Sequence, residues 1–256
     1  MALPRPVLIS TMQYDAALRE GTLNPIDVID VAKRLGTSGV EFREVYWKNK
    51  EREIPAVRDR MSELGLEATY TTFTTLFNAQ GDATVLHTDM DDTVALGAPL
   101  LRIFPGDVPG ADDEQAWEAA AKLVKYAAAR GIVLALENFM KAPGCTLEEI
   151  TTVLNRIDSP TLRCNVDIGN YTVNGQDVAE AIQTLGERII YAHLKDPANT
   201  PNGHDATYLG GGTLPLRDIL AAFDRLPQAI TYCFEFNGGG DPEGRIQKSL
   251  EYLKQG

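Results

Sequence analysis

The chain has 256 residues, of which 44% are hydrophobic and 23% are charged, a composition that supports a large buried core. Its net charge of −12 would repel a phosphate backbone, so we expect no nucleic-acid partner. No apolar run approaches the ~20 residues that a membrane span requires, and no signal peptide is evident. The cysteines, Cys145, Cys164 and Cys233, are widely spaced and odd in number, which argues against a disulfide framework. These features predict a soluble cytoplasmic protein.

Short apolar runs alternate with amphipathic helical segments along the whole chain. The predicted strands lie at 6–11, 39–44, 67–73, 99–106, 132–138, 162–170, 188–196 and 229–236. The predicted helices lie at 25–36, 54–65, 84–97, 114–131, 147–157, 176–186, 214–226 and from 241 onwards. Asn24-Pro25 opens the first helix, and Thr146 with Glu149 three residues later caps the fifth.

Eight strands that are each followed by a helix predict parallel pairing with right-handed crossovers. A repeat of about 30 residues over a chain of this length is typical of a (β/α)8 TIM barrel. The rival α/β architecture is an open doubly wound sheet, which usually carries a glycine-rich turn after its first strand. The segment after the first strand, "STMQYDAALREG", contains no such turn. We therefore predict one barrel domain over residues 1–256.

Four consecutive predicted strands end in side chains that bind metal ions: Glu137, Asp167, His193 and Glu235. Active sites of such barrels lie at the carboxyl ends of the strands. Because successive side chains of a strand point to opposite faces, the smaller or polar face of each strand is expected inside the barrel. That alternation places all four side chains inside the barrel at the same end.

Three carboxylates in a barrel interior repel one another unless a positive charge lies between them. One imidazole with three carboxylates suits a single divalent metal ion, with Mn²⁺ first and Mg²⁺, Co²⁺ or Zn²⁺ as alternatives. Lys195 shares the inward face of His193 and is a candidate for binding a substrate oxygen. The alternative without a metal is neutralisation by basic side chains; the candidates are Arg43, Arg102, Arg163 and Lys195.

Several motifs, in this order and spacing, resemble the xylose isomerase-like barrel superfamily and its sugar (phosphate) isomerase/epimerase branch. They are "GVEFRE", "LALENF", "CNVDIGN", "YAHLKD", "GGGTLPLRDIL" and "CFEF". The resemblance implies a TIM barrel, a sugar substrate and one divalent metal held by Glu137, Asp167, His193 and Glu235. It also implies that Glu137 and Glu235 are the acid and base, and it allows a homo-oligomer.

In the ketose 3-epimerases of this branch, one glutamate removes the proton beside the carbonyl and the other returns a proton to the opposite face. A cation on the carbonyl oxygen stabilises the enediolate that forms. Two positions depart from the branch: Asn170 replaces a frequent histidine, and the loop after the seventh strand has no arginine. The candidate substrate contacts are Lys195, Asn170, Arg102, Glu41 and His204. His204 could equally be a solvated loop residue.

Three other functions make different demands on the sequence. A lyase of the same superfamily, similar to inosose dehydratases or C-glycoside-cleaving subunits, would begin with the same proton removal and then expel a substituent. A trinuclear DNA-repair endonuclease is disfavoured because the chain has only three histidines. A catalytically silent binding module would have lost a ligand position, and none is lost. The two glycine runs, 210–212 and 238–240, could bind phosphate or could be flexible turns.

Overall fold

The computed structural model describes residue 3 and residues 5–77, 84–140, 142–201 and 203–255. Among the helices of these ranges, none combines the length and the apolar character needed to cross a membrane.

The strands follow the predicted order, with two additional short ones late in the chain. They are β1 Val7–Ser10, β2 Gly39–Arg43, β3 Glu67–Phe77, β4 Leu100–Gly106, β5 Val133–Glu137, β6 Leu162–Asp167, β7 Ile189–Leu194, β8 Asp196–Thr200, β9 Gly203–Thr207 and β10 Thr231–Phe234. The eighth barrel strand of the sequence-based prediction is therefore β10.

Helices occupy the connections between the strands. They are α1 Asp15–Glu20, α2 Pro25–Leu35, α3 Lys50–Leu64, α4 Thr84–Leu96, α5 Glu114–Arg130, α6 Leu147–Arg156, α7 Ile168–Val173, α8 Val178–Leu185, α9 Leu216–Asp224 and α10 Pro242–Lys254. Short 3-10 helices cover Thr11–Tyr14, Glu44–Tyr46 and Gly186–Arg188. Both predicted caps are present, since Asn24 and Thr146 each form a capping box with the acidic residue three positions later.

Eight parallel strands close into a barrel in the order β1-β10-β7-β6-β5-β4-β3-β2. The prediction of a (β/α)8 barrel is confirmed. The remaining two strands, β8 and β9, form a separate antiparallel hairpin directly after β7. Because all barrel strands run the same way, their carboxyl ends meet at one rim, and the functional side chains gather there.

The alternation of side chains along the strands divides the core into two parts. Leu134 and Leu136 belong to the apolar cluster between the barrel and its helices. Ala135, Tyr191 and Cys233 belong to a small apolar cluster inside the barrel. This inner layer supports the polar layer above it, so the inward and outward faces agree with the sequence-based expectation.

Local hydrogen bonds explain where the elements differ from the prediction. Helix α3 begins at Lys50, before the predicted 54, because the Asn49 side chain accepts a hydrogen bond from the Arg52 amide at 3.1 Å. Strand β6 ends at Asp167, before the predicted 170, because the Asp167 carboxylate caps α7 by accepting from the Asn170 amide at 2.9 Å. The β8–β9 hairpin was expected to be loop.

Candidate metal centre

Four side chains from neighbouring strands converge at the carboxyl end of the barrel. Glu137 ends β5, Asp167 ends β6, His193 lies near the end of β7 and Glu235 directly follows β10. Each offers one ligand atom, and these atoms lie within 4.8 Å of one another. All four residues are buried. We call these four residues the four-ligand cluster.

The imidazole of His193 is oriented so that one nitrogen faces the carboxylates. Its Nε2 atom lies 2.7 Å from Glu41 Oε2, in hydrogen-bonding contact. Its Nδ1 atom lies 3.2 Å from Glu137 Oε2, 3.5 Å from Glu235 Oε2 and 3.7 Å from Asp167 Oδ2. Nδ1 is buried and makes no hydrogen bond of ordinary geometry within the described residues. A buried nitrogen that faces three oxygens without bonding to one of them needs an explanation.

Two basic side chains lie against the cluster. Lys195 Nζ lies 2.6 Å from Asp167 Oδ2 and 2.8 Å from Glu235 Oε2. Arg102 Nε lies 2.8 Å from Glu137 Oε2, and both side chains are almost fully buried. When Glu41, whose carboxylate contacts His193, is included, the site contains four buried carboxylates. Two buried cations, Arg102 and Lys195, contact them. The carboxylates therefore outnumber the cations that contact them, so the site favours further positive charge.

The surroundings of the cluster shift the pKa values of its members. Burial would raise the pKa of Glu137, but Arg102 and His193 outweigh burial and lower it. Burial likewise opposes ionisation of Glu235, yet Lys195 and His193 hold its pKa well below its usual range. For His193, burial would lower the pKa, but the nearby carboxylates, Glu41 first, raise it well above its usual value. The space between these groups therefore attracts positive charge.

The residues present fit a bound divalent cation. A bound metal ion would take the place of the proton that the carboxylates otherwise draw onto His193 Nδ1. The donor set of one imidazole and three carboxylates favours hard to borderline ions of the Mn²⁺, Mg²⁺ and Co²⁺ type. Glu41 on the opposite ring nitrogen gives the carboxylate–histidine arrangement that commonly orients metal ligands.

Two asparagines hold the ligand-bearing strands together. The Asn165 amide donates to Glu137 Oε2 at 3.1 Å, and its oxygen accepts from the His193 backbone amide at 3.1 Å. Asn138 exchanges hydrogen bonds with the Asp167 backbone at 2.8 and 2.9 Å, so it joins β5 to β6. Sequence reasoning missed Asn165 as a supporting residue, although its place two residues before Asp167 on the inward face was a signal.

Besides Lys195, three predicted substrate contacts touch the cluster itself. Arg102 pairs with Glu137, and Glu41 contacts His193. The Asn170 amide donates to Glu137 Oε1 at 3.3 Å and to the Asn138 carbonyl oxygen at 3.0 Å. In the structure these residues contact members of the four-ligand cluster, and their contact with a substrate stays a prediction.

The other two predicted substrate contacts differ in burial. Lys195 is 7% exposed and lies between two of the carboxylates. His204 is exposed on the β8–β9 hairpin, where it pairs in register with Asn199. No described contact joins His204 to the four-ligand cluster, so its contact with substrate also stays a prediction.

Backbone amides of the glycine run 210–212 already donate hydrogen bonds to a side chain of the protein. Asp196 Oδ2 accepts hydrogen bonds from the Gly210 amide at 3.1 Å and the Gly212 amide at 2.8 Å. Its Oδ1 atom accepts from the Leu214 amide at 2.9 Å. A phosphate would need the same amides, so this run is a structural turn that Asp196 closes.

A family model for the xylose isomerase-like TIM barrel matches residues 29–256. The chain belongs to this family. The resemblance inferred from the strand-end motifs is thereby confirmed at the family level. No curated protein matches the chain in sequence at a significant level.

Solved structures agree with the family assignment. D-allulose 3-epimerase from Methylomonas sp., in complex with D-allulose, superposes with a TM-score of 0.73 at 19% identity, covering 100% of this chain and 99% of that one. An L-ribulose 3-epimerase gives a TM-score of 0.73 at 16% identity over 100% and 96%. The probable 3-DHS dehydratase from Bacillus anthracis gives 0.72 at 17% identity over 98% of each chain. At these identities the likeness establishes the shared fold.

Proposed function

We propose that the protein is a divalent-metal-dependent sugar isomerase or epimerase that removes a proton beside a carbonyl group. The observation that carries the proposal is the buried convergence of three carboxylates on an unpartnered His193 Nδ1. The family assignment and the ketose 3-epimerases among the structural neighbours support the substrate class.

The metal would be held by Glu137, Asp167, His193 and Glu235, with Mn²⁺ as the first candidate and Mg²⁺, Co²⁺ or Zn²⁺ as alternatives. When bound, a divalent ion supplies Lewis-acid stabilisation for the negative charge that develops as the proton leaves. The role of Glu41 is to keep the His193 ring oriented with Nδ1 towards the carboxylates.

Glu137 and Glu235 would be the acid and base. Arg102 keeps Glu137 ionised, and an ionised carboxylate is able to accept a proton. Lys195 contacts Glu235 in the same way at 2.8 Å. Since β6 and β7 separate the strands that carry the two glutamates, their carboxylates approach the site from different directions. Two such groups suit inversion at a carbon, whereas an aldose–ketose isomerase needs a base on one face.

Lys195 would bind an oxygen of the substrate. Its ammonium group lies inside the barrel between Asp167 and Glu235, where a sugar oxygen near the acid and base would lie. An ammonium group carries three donor hydrogens, so two carboxylate contacts leave one for a substrate. Asn170 and Arg102 would act on the substrate through Glu137.

A lyase is the second candidate. The dehydratase among the structural neighbours has nearly the same TM-score and coverage as the epimerases. Elimination begins with the same proton removal and continues with loss of a group from the adjacent carbon. The same acid and base positions serve both reactions, so the product decides between them.

The test is a proton-exchange experiment in deuterated water. The protein is stripped with a chelator, reloaded separately with Mn²⁺, Mg²⁺, Co²⁺ or Zn²⁺, and incubated with a panel of ketoses. We expect metal-dependent incorporation of deuterium into an epimer, observed by NMR. An aldose product would assign an isomerase, and a dehydrated product would assign the lyase. Exchange in the stripped protein at the loaded rate, or no exchange with any metal, would contradict the proposal.

The proposal extends to the cellular setting of the reaction. The described cysteines are all buried and unpaired, in keeping with the expected reducing cytoplasm. Small-molecule sugars are the partners that the site chemistry favours, and a homo-oligomer stays a prediction.

A further inference from the structure

A cavity at the carboxyl-terminal rim of the barrel, the rim that carries the four-ligand cluster, is lined by polar groups without a partner among the described residues. It measures about 600 Å³ and lies at the carboxyl ends of three adjacent strands, β10, β1 and β2. Gln13 and Arg43 line it together with Asn237, which comes two residues after Glu235. Asn237 thus brings the wall of the cavity to within two residues, along the chain, of Glu235, one of the two proposed acid/base residues.

Gln13 is 3% exposed, yet neither its amide nitrogen nor its amide oxygen has a hydrogen-bond partner in the described part of the chain. A buried amide without partners costs stability, so a protein rarely retains one without a use. Its backbone packs closely against Gly238, where an added Cβ atom would lie 1.9 Å from the Gln13 carbonyl oxygen. The side chain therefore lies in the cavity wall with its hydrogen-bonding capacity unused.

Arg43 presents a guanidinium to the same cavity. Its Nε atom is buried and has no hydrogen-bond partner among the described residues. The group stacks on Phe73, with 5.1 Å between the guanidinium carbon and the ring centre. Burial would lower the pKa of Arg43, but Glu235, Tyr46 and Glu41 outweigh it, so the group stays charged close to the cluster.

The charges of the cavity disfavour a phosphate. Asp15 lines the cavity along with Arg43, so the lining carries one acid and one base. A phosphate would also place acceptor oxygens against the open Gln13 amide oxygen, which itself can only accept. A hydroxyl group both donates and accepts, and it can satisfy both ends of the amide together with the guanidinium.

Resting on the proposed sugar chemistry, we propose that Gln13 and Arg43 form a subsite for the hydroxyl groups of an uncharged sugar, remote from the carbon that loses its proton. The subsite positions the substrate and selects unphosphorylated sugars with several hydroxyl groups over phosphorylated or truncated ones.

The test measures binding separately from turnover. Metal-loaded protein is titrated by calorimetry with the four D-ketohexoses, with D-fructose 6-phosphate and with dihydroxyacetone, which keeps the hydroxy-ketone group but lacks the remote hydroxyls. The Gln13→Met and Arg43→Lys variants are compared with Gln247→Met, an exposed position on α10. We expect Gln13→Met to weaken binding of the best ketohexose about tenfold, the effect of one to two lost hydrogen bonds, and to leave dihydroxyacetone unchanged.

Stability supplies a second measurement. The Gln13→Met substitution removes two unpartnered polar atoms, so the free energy of unfolding measured in urea should not fall. A structural role for Gln13 predicts that this free energy falls. Tighter binding of the phosphate, equal weakening of dihydroxyacetone, or no binding of any ketohexose would overturn the subsite. Ketohexose binding without deuterium exchange would overturn the proposed function and leave the subsite standing. Deuterium exchange that is unaltered in Gln13→Met would overturn the subsite and leave the proposed function standing.

Discussion

Two buried polar clusters of this protein differ in whether their hydrogen bonds are complete. In the side cluster, at β3 and α4, Asp89 Oδ2 accepts from the Thr72 and Thr74 hydroxyls at 2.9 and 2.5 Å. Lys50 lies 2.8 Å from Asp92 beside them. In the four-ligand cluster, the Nδ1 atom of His193 has three oxygens within 3.7 Å and no hydrogen bond among the described residues.

The comparison shows that burial of a polar group does not by itself indicate a functional site. Asp89 is 2% exposed, as buried as the members of the four-ligand cluster, but its neighbours already satisfy it. Buried groups with complete hydrogen bonds support the fold, whereas incomplete ones at the strand ends indicate a ligand. The expected effects of substitution therefore differ in kind: loss of chemistry at one cluster and loss of stability at the other.

The largest effect is expected from the proposed acid and base. Glu137→Gln and Glu235→Gln each remove a carboxylate that can accept or deliver a proton, so deuterium exchange into a ketose should fall by about 10²–10⁴-fold. NMR in deuterated water measures the rate, and elemental analysis reports the metal content of each variant. Asp89→Asn is the matched buried control and should retain exchange. Normal exchange in both glutamine variants would remove these residues from the mechanism.

A smaller effect is expected when the support of a ligand is altered. Glu41→Gln replaces the carboxylate that lies 2.7 Å from His193 Nε2, which weakens the orientation and basicity of the ring. Metal affinity, measured by competition with a chelator, should fall by about 10–100-fold. Asp89→Asn should leave the metal affinity unchanged. An unaltered metal affinity in Glu41→Gln would show that the contact of Glu41 with His193 Nε2 does not support metal binding.

At the side cluster the expected loss is in stability alone. Asp89→Ala leaves the Thr72 and Thr74 hydroxyls without their acceptor, which should lower the free energy of unfolding by about 1–3 kcal/mol. Urea unfolding of metal-free protein measures this loss, and metal stoichiometry should stay at the wild-type value. Asp59→Ala, at an exposed position of α3, serves as the surface control. A fall in metal stoichiometry would show that the side cluster also supports metal binding, which would contradict the distinction between the two clusters.

The smallest effect concerns the two glycine runs. A Cβ atom on Gly212 would lie 2.4 Å from Asp196 Oδ1, whereas one on Gly240 would have nothing within 4 Å. Gly212→Ala should therefore lower the free energy of unfolding by about 1–2 kcal/mol, and Gly240→Ala by less than about 0.5 kcal/mol. Thermal unfolding of both variants compares them directly. Equal tolerance at both positions would mean that Asp196 does not close the first run.

Much of the fold and of the candidate site could be predicted from local sequence. The alternation of Ala135 with Leu134 and Leu136 marks the inward face of β5 without knowledge of any other strand. The same reasoning placed Glu137, Asp167, His193 and Glu235 at one end of the barrel, where the structure has them. Their predicted roles as ligands, acid and base remain to be measured.

Other predictions were wrong because local signals were misread or overlooked. The strand expected to reach 170 turns at Asp167 into α7, and the segment expected as loop after β7 forms a hairpin. At Asp167 a side-chain hydrogen bond to the Asn170 amide decided where the strand ends, and propensity alone does not count such bonds.

By itself, the sequence determined the strand–helix repeat, the inward face of each strand and the residue type at each strand end, because these depend on spacings of a few residues. Only the tertiary structure decided that Glu41 meets His193, 152 positions away, and that Arg102 pairs with Glu137. It also left Gln13 buried without a partner. Closure of the barrel brings strands from the two ends of the chain together, and contacts between inward side chains exist only after that closure.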